Sequence, residues 1–211
     1  MEQRKMEIER RSVVLKELRV LEPNGEINEP TIEGYAAVFD SWSENLGGNN
    51  DPFIEKVCKG AFQQSIQEDD IRALFNHDPN YVLGRNKAGT LTLQEDDKGL
   101  LVRIIPPNTQ WAKDLLVSIA RGDISQMSFG FTVEADRWSY EDNKDVRELL
   151  KVRLFDVSPV TFPAYTQTEC GLRSLEEVLK SHKKVMEERQ QNDSKTRQKK
   201  LANLKQKFKF M

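Results

Sequence analysis

Three short segments of this chain contain the residue types that a serine hydrolase needs. His77, one of only two histidines, lies in LFNHDP, Ser128 lies in QMSFGF, and Asp156 lies in LFDVSP. A serine hydroxyl becomes a strong nucleophile only when a nearby base takes its proton, and histidine suits that task at neutral pH. A carboxylate in an apolar stretch needs a partner, and a histidine N–H would be one. Together the segments predict serine hydrolase chemistry.

The elements around these residues are expected to be strands. His77 follows a short apolar strand and precedes Pro79, so it is expected at the turn where the strand ends. Period-two alternation around Ser128 puts it on one face of a strand with Gly130 and Thr132, and the small residues of that face would leave room for a substrate. The ordinary alternatives are a turn histidine and the polar face of a plain strand.

Asp156 is expected on a strand, where it lies either on the solvent face of an edge strand or in a pair, because unpaired burial would cost several kcal/mol. Two other serines compete with Ser128 for the nucleophile's role. Ser118 falls within a predicted helix, and Ser125 lies at the start of the predicted strand.

The remaining pattern predicts a β-rich domain with a few helices. We predict a strand over residues 31–40, a short helix over residues 54–66 and a hairpin of residues 90–94 with residues 100–105. Thr109 is expected to cap a helix that runs to Arg121 and ends at Gly122. Two long strands are expected over residues 124–135 and 146–157. This predicts an α+β, mainly β fold: a small barrel or bent antiparallel sheet with a few helices around it.

The chain divides into a charged leader (residues 1–11), which is expected to be disordered or helical, one domain (residues 12–175) and a tail (residues 176–211). The tail carries eleven Lys/Arg and five Asp/Glu within a chain of net charge −2, and it is expected to be helical or disordered. A basic tail suggests an acidic partner, nucleic acid or its own domain as a contact, or simply a solvated helix. No apolar run approaches the roughly 20 residues of a membrane span, and residues 1–11, which are charged and lack an apolar stretch, are not expected to act as a secretory signal. Cytoplasmic synthesis is therefore the expectation.

Cofactor chemistry is not predicted. Cys58 and Cys170 lie far apart without CxxC spacing, and His77 and His182 are isolated, so we expect neither a zinc site nor a disulfide framework. Phosphate-binding and dinucleotide-binding glycine motifs are also missing from the sequence.

Several sequence motifs, taken in chain order, resemble those of one family. FNHDP…LGR…GTL, then IARGDISQMSFGF, then LFDVSPVTFPAY closely resemble the tailed-phage (Caudoviricetes) prohead maturation proteases. These are serine proteases of procapsid assembly and are similar in fold to herpesvirus assemblin. The resemblance covers roughly residues 13–175.

The resemblance implies a role for each residue: His77 as general base, Ser128 as nucleophile and Asp156 as the acid that orients the histidine. Assemblin uses a second histidine as its third member, but the only other histidine here, His182, lies in the charged tail, so that role is not carried over to it. The implied substrate is the scaffolding segment of the major capsid protein, or a scaffold protein, inside the procapsid in the host bacterial cytoplasm. Self-cleavage and self-association are also implied, whereas a membrane or nucleic-acid partner is not.

Two other functions stay open at this point. The first is a β-barrel module that binds capsid or scaffold protein without chemistry. The second is a cysteine hydrolase that pairs Cys58 or Cys170 with His77, although neither cysteine has a strong setting.

Overall fold

The computed structural model describes residues 8–13, 17–25, 28–46, 52–142 and 144–162, together with residues 183, 184, 187 and 195. Strands dominate these residues. In chain order the elements are β1 (Glu9–Val13), β2 (Arg19–Leu21), β3 (Thr31–Val38), β4 (Phe53–Val57), α1 (Gln63–Glu68), β5 (Arg72–Phe75), β6 (Asp78–Arg85), β7 (Leu91–Glu95), β8 (Gly99–Ile104), α2 (Gln110–Arg121), β9 (Gln126–Glu141) and β10 (Lys144–Val160).

A six-stranded sheet is built around the long antiparallel hairpin of β9 and β10. Its order is β1-β9-β10-β5-β6, and β4 also pairs with β10. Both β4 and β5 run parallel to β10 on the side away from β9, whereas β1 runs antiparallel to β9 on the hairpin's other side. As a result β9 and β10 are interior strands, and residues on them are flanked by backbone on both sides.

The second sheet has four antiparallel strands in the order β2-β3-β8-β7. One buried apolar cluster draws on both sheets, for example Ile32 and Val102 from the second sheet and Phe129 and Leu154 from the first. Burial of such side chains is the main favourable term in folding, so this core fixes the hairpin on which the site lies.

Local signals predicted several elements correctly. The predicted helix ending at Arg121 is α2; Thr109 is its N-terminal flanking residue, although its side chain makes no capping hydrogen bond, and Gly122 ends it with a left-handed φ of 83°. The predicted hairpin is β7–β8. Gly122 adopts this conformation easily because it has no Cβ.

The predicted helix over residues 54–66 is wrong in its first half. Residues 53–57 form β4, and α1 does not begin until Gln63. The burial of β4 alternates, with Phe53, Glu55 and Val57 on the inner face. A buried glutamate in the middle of that face hides the period-two pattern, because sequence periodicity counts it as exposed.

The prediction of a mainly β fold, with a bent sheet and few helices, is confirmed. The strands of the described residues form one mixed sheet and one antiparallel sheet rather than a closed barrel. Glu9–Arg11 lie in β1, so the expectation of a disordered or helical leader is wrong for these three residues. Except for four single residues, the predicted tail lies outside the described residues. Within the described chain, no helix has the length and apolar character to span a bilayer.

Candidate active site

Ser128 lies on β9 between two strands. It pairs with Ser12 of β1 on one side and with Ser158 of β10 on the other. Its side chain is fully buried. The expectation that its face of the strand is open to a substrate is therefore wrong for this conformation, since Thr132 on the same face is also buried.

His77 lies in the tight turn between β5 and β6. Asn76 and His77 have φ values of 55° and 57°, a left-handed conformation that is uncommon for residues other than glycine. The turn is attached to the end of β10, because the Asn76 N–H donates to the Pro159 carbonyl at 3.0 Å and its side-chain oxygen accepts from the Thr161 N–H at 2.8 Å. These contacts hold the turn in this strained backbone conformation.

Asp156 lies on β10, an interior strand, opposite Gly130 of β9 and beside Arg72 of β5. Of the two settings that the sequence left open, a solvent-facing edge and a buried pair, the structure has the buried pair. The residue is only 7% exposed. Its partner is His77, whose turn directly follows the strand that pairs with this part of β10.

These three side chains form a connected chain of hydrogen bonds. His77 Nδ1 lies 2.5 Å from Asp156 Oδ1, and His77 Nε2 lies 2.7 Å from Ser128 Oγ. A carboxylate only accepts, so Nδ1 carries the proton and Nε2 of the neutral ring is free to accept from the serine. This is the geometry in which a histidine can take the serine proton while an acid orients it.

The Ser128 hydroxyl has a second acceptor. Its Oγ lies 2.9 Å from the backbone carbonyl of Arg11 on β1. A single hydroxyl proton goes to one acceptor at a time. In the resting state the Ser128 O–H therefore donates either to the Arg11 carbonyl or to His77 Nε2. Proton transfer to His77 requires the hydroxyl to turn away from β1.

β1 is anchored by a buried ionic cluster that sequence reasoning missed. Arg11 bonds Glu9 and Glu55 at 2.7 and 2.8 Å, and Arg147 bonds Glu9 and Glu55 at 3.0 and 2.9 Å. Asp136 completes it, 2.8 Å from Arg147. The cluster ties β1, β4, β9 and β10 together.

The three side chains are covered: Ser128 is fully buried, and the side chains of His77 and Asp156 are largely buried. Two surface cavities, of about 560 and 460 Å³, lie elsewhere, one lined in part by Leu21 and Arg103 and the other by Lys59 and Glu95. The structure therefore shows the constellation in a covered state.

The rival residues lie apart from these contacts. Ser118 lies on α2, where its hydroxyl donates to the Asp114 carbonyl. Ser125 precedes β9. Cys170 and His182 lie outside the described residues. Across the described ranges, no three His, Cys, Asp or Glu side chains are grouped as metal ligands.

Cys58 follows β4, and its N–H donates to the carbonyl of Leu149. Leu149 precedes Asp156 by seven residues on β10, which corresponds to roughly 20 Å along a strand. Burial raises the pKa of the Cys58 thiol, which disfavours the reactive thiolate. This cysteine therefore lacks the setting of a nucleophile paired with His77.

A buried Ser-His-Asp constellation on a mainly β, two-sheet scaffold is the arrangement of a serine hydrolase. Comparison with known proteins narrows this class. The chain belongs to the caudovirus prohead serine protease family, whose model matches residues 16–181.

Two individual proteins are similar to it. The prohead protease of Enterobacteria phage HK97 is 29% identical over 157 residues, which cover 73% of this chain and 64% of that protein. The chain thus spans less than two thirds of that relative's length. The structure of the bacteriophage T4 capsid assembly protease, gp21, aligns with 75% of this chain and 99% of its own, at 12% identity and a TM-score of 0.47.

Proposed function

We propose that this chain is a serine endopeptidase of phage procapsid maturation, with Ser128 as nucleophile, His77 as general base and Asp156 as the acid that orients the base. The observation that carries the proposal is the position of His77, which lies between Asp156 at 2.5 Å and Ser128 at 2.7 Å. Membership of the prohead serine protease family supports peptide hydrolysis as the reaction.

The reaction follows from the placement of the protons. His77 Nε2 takes the Ser128 proton as Oγ attacks a peptide carbonyl carbon, and Asp156 stabilises the imidazolium that forms. The imidazolium then gives that proton to the departing amine, and the C–N bond breaks to leave an acyl-enzyme. Water, deprotonated in turn by His77, hydrolyses the ester and restores the serine. The whole cycle needs no cofactor or metal.

The substrate that we propose is the scaffolding segment of the major capsid protein, or a separate scaffold protein. The HK97 relative is named a prohead protease, which supports a site of action inside the procapsid, in the host bacterial cytoplasm. We also propose that the enzyme cuts itself, with the basic residues 176–211 as a target, and that it self-associates. Membrane and nucleic acid are not among the proposed partners.

Co-expression with the major capsid protein of the same phage or prophage tests the proposal. The wild type and Ser128→Ala are expressed with that protein, and intact masses are measured. A shortened capsid protein and a shortened protease, both with the wild type alone, are the expected result. Cleavage at the wild-type rate by Ser128→Ala would refute the assignment of the nucleophile.

One observation favours a second function, a non-catalytic module that binds capsid or scaffold protein. Ser128 is fully buried in this conformation, so a peptide reaches it only after the covering residues move. A fluorophosphonate probe separates the two functions, because it modifies an activated serine. Labelling of the wild type but not of Ser128→Ala supports the protease. Full-length products together with no labelling of either protein would support the binding module.

A further inference from the structure

A second serine lies beside the proposed triad without a part in its chemistry. Ser158 follows Asp156 by two residues on β10, so both side chains lie on the same face of the strand. It pairs with Ser128 in the ladder, and it is fully buried. A polar side chain that is buried this deeply is expected to have specific hydrogen-bond partners.

Its partners are the acid and the base. The Ser158 hydroxyl donates to Asp156 Oδ1 at 2.8 Å and accepts from the His77 backbone N–H at 3.3 Å. One hydroxyl therefore contacts both residues whose mutual orientation the triad requires. Asp156 Oδ1 receives two bonds, one from His77 Nδ1 and one from Ser158, so the Ser158 hydroxyl restrains the oxygen that the imidazole ring contacts.

His77 needs such support because of its backbone. Its φ of 57° follows another left-handed residue, Asn76, and non-glycine residues keep this conformation only where their surroundings enforce it. Asn76 is held by Pro159 and Thr161. Among the described residues, the His77 N–H donates to the Ser158 hydroxyl. The end of β10 thus holds both residues of the turn.

We propose that Ser158 is a positioning residue of the active site, which sets the Asp156 carboxylate and the His77 ring relative to each other through one hydroxyl. The inference rests on the proposed function, because it assigns Ser158 to the orientation of that triad. The described hydrogen bonds of the Ser158 hydroxyl go to the Asp156 carboxylate and the His77 backbone, and not to Ser128 Oγ or His77 Nε2.

Removing the hydroxyl tests this. In Ser158→Ala, we expect kcat and the fluorophosphonate labelling rate of Ser128 to fall about tenfold or more, because small misplacements of catalytic groups are costly. KM is expected to change by no more than about twofold, since only the orientation of the chemical groups is altered. Ser158→Thr keeps the hydroxyl on a residue that suits a strand, and it is expected to recover most of the rate.

Ser65 offers a matched control. It is also a buried serine whose hydroxyl accepts from a backbone N–H, that of Leu154 at 2.8 Å, and donates to a carboxylate, that of Asp69 at 2.7 Å. Ser65→Ala therefore removes the same pair of bonds without removing a contact to a triad side chain, although Leu154 precedes Asp156 by only two residues on β10. We expect a similar loss of thermal stability with wild-type labelling of Ser128 at temperatures where both variants are folded.

A spectroscopic readout is independent of turnover. The Nδ1 proton between His77 and Asp156 should give a far-downfield proton resonance in the resting wild type and in Ser65→Ala, and it should weaken or shift in Ser158→Ala. Wild-type labelling together with an unchanged resonance in Ser158→Ala would overturn the proposal. If Ser158→Ala does not fold, Ser158→Cys keeps the volume with a weaker hydrogen bond, and wild-type labelling of folded Ser158→Cys would overturn it equally.

This outcome is distinct from failure of the proposed function. If Ser128→Ala still cleaves and is still labelled, the triad itself is wrong. If Ser128→Ala is inert while Ser158→Ala behaves as the wild type, the triad stands and only the role of Ser158 fails.

Discussion

Gly130 and Asp156 lie opposite each other on β9 and β10, and a Cβ atom on Gly130 would overlap the Oδ2 atom of Asp156. The missing side chain therefore makes the space in which the carboxylate sits. Glycine is needed at position 130 because the Asp156 carboxylate lies so close to its Cα. Backbone freedom is not the reason, because the φ of Gly130 is not positive.

Gly130→Ala is expected to displace the Asp156 carboxylate from His77. We expect kcat to fall by about two orders of magnitude, as for a misplacement of about 1 Å, with a folded protein by circular dichroism. Thr132→Val is the matched control on the same face of β9, since the buried Thr132 hydroxyl has no hydrogen-bond partner among the described residues. Loss of the Thr132 hydroxyl should leave the stability of the fold unchanged or raise it slightly. Full activity in Gly130→Ala would show that the carboxylate's position does not matter.

Asp156→Asn keeps the size of the side chain and removes its charge. An amide can no longer stabilise an imidazolium and favours the wrong tautomer of the histidine, so we expect kcat to fall by about 10³-fold or more. The measurement is single-turnover cleavage of the proposed capsid substrate. Asp78→Asn is the control, because Asp78 lies next to His77 but its side chain bonds Asn80. Equal losses in both variants would argue against a specific role for Asp156.

Arg147→Met is expected to destabilise the fold by about 3–5 kcal/mol, because it leaves the buried carboxylates of Glu9 and Glu55 with one cation fewer. Arg147 is only 3% exposed. Arg103→Met is the control: Arg103 also pairs with a glutamate, Glu33, but its side chain is 52% exposed, so a loss below about 1 kcal/mol is expected. Urea unfolding measures both, and equal losses would contradict the burial argument.

Tyr35 and Asp96 predict a pH dependence of stability on the second sheet. The Tyr35 hydroxyl donates to Asp96 at 2.6 Å; this bond raises the pKa of Tyr35 to about 12 and, with backbone N–H groups, lowers that of Asp96. The depressed carboxyl pKa contributes stability above its unfolded value near 4 that is lost as the pH falls. The raised tyrosine pKa contributes stability below about 10 that is lost as the pH rises towards 12.

Tyr35→Phe should therefore lower the melting temperature at neutral pH and flatten its fall at both extremes. Differential scanning calorimetry from pH 3 to 11 measures this. A melting curve parallel to that of the wild type at every pH would show that the hydrogen bond does not contribute.

Cys58→Ser tests the cysteine hydrolase alternative. Because Cys58 lies far along β10 from Asp156 and burial raises the pKa of its thiol, we expect wild-type cleavage from this variant. Iodoacetamide treatment of the wild type should likewise spare activity. Loss of cleavage in both experiments, with the fold intact, would support Cys58 as the nucleophile.

Some features of this protein follow from local sequence alone. The helix from Gln110 to Arg121 is set by its own apolar spacing and by Gly122, and the β7–β8 hairpin is set by the turn that follows Glu95. The candidate residues His77, Ser128 and Asp156 are also apparent in the sequence, because their types and their short motifs are local. Local interactions connect near neighbours, so sequence patterns suffice for them.

Tertiary structure decided how these residues meet. His77 lies 51 positions from Ser128 and 79 from Asp156, and only the registers of β10 with β9 and with β5 bring them within hydrogen-bond distance. The same long-range pairing turned residues 53–57 into a strand and buried Glu55 against Arg147. It also placed Ser158 between acid and base and set Gly130 opposite the carboxylate. Strand register joins residues far apart in sequence, and no local periodicity encodes which strands pair.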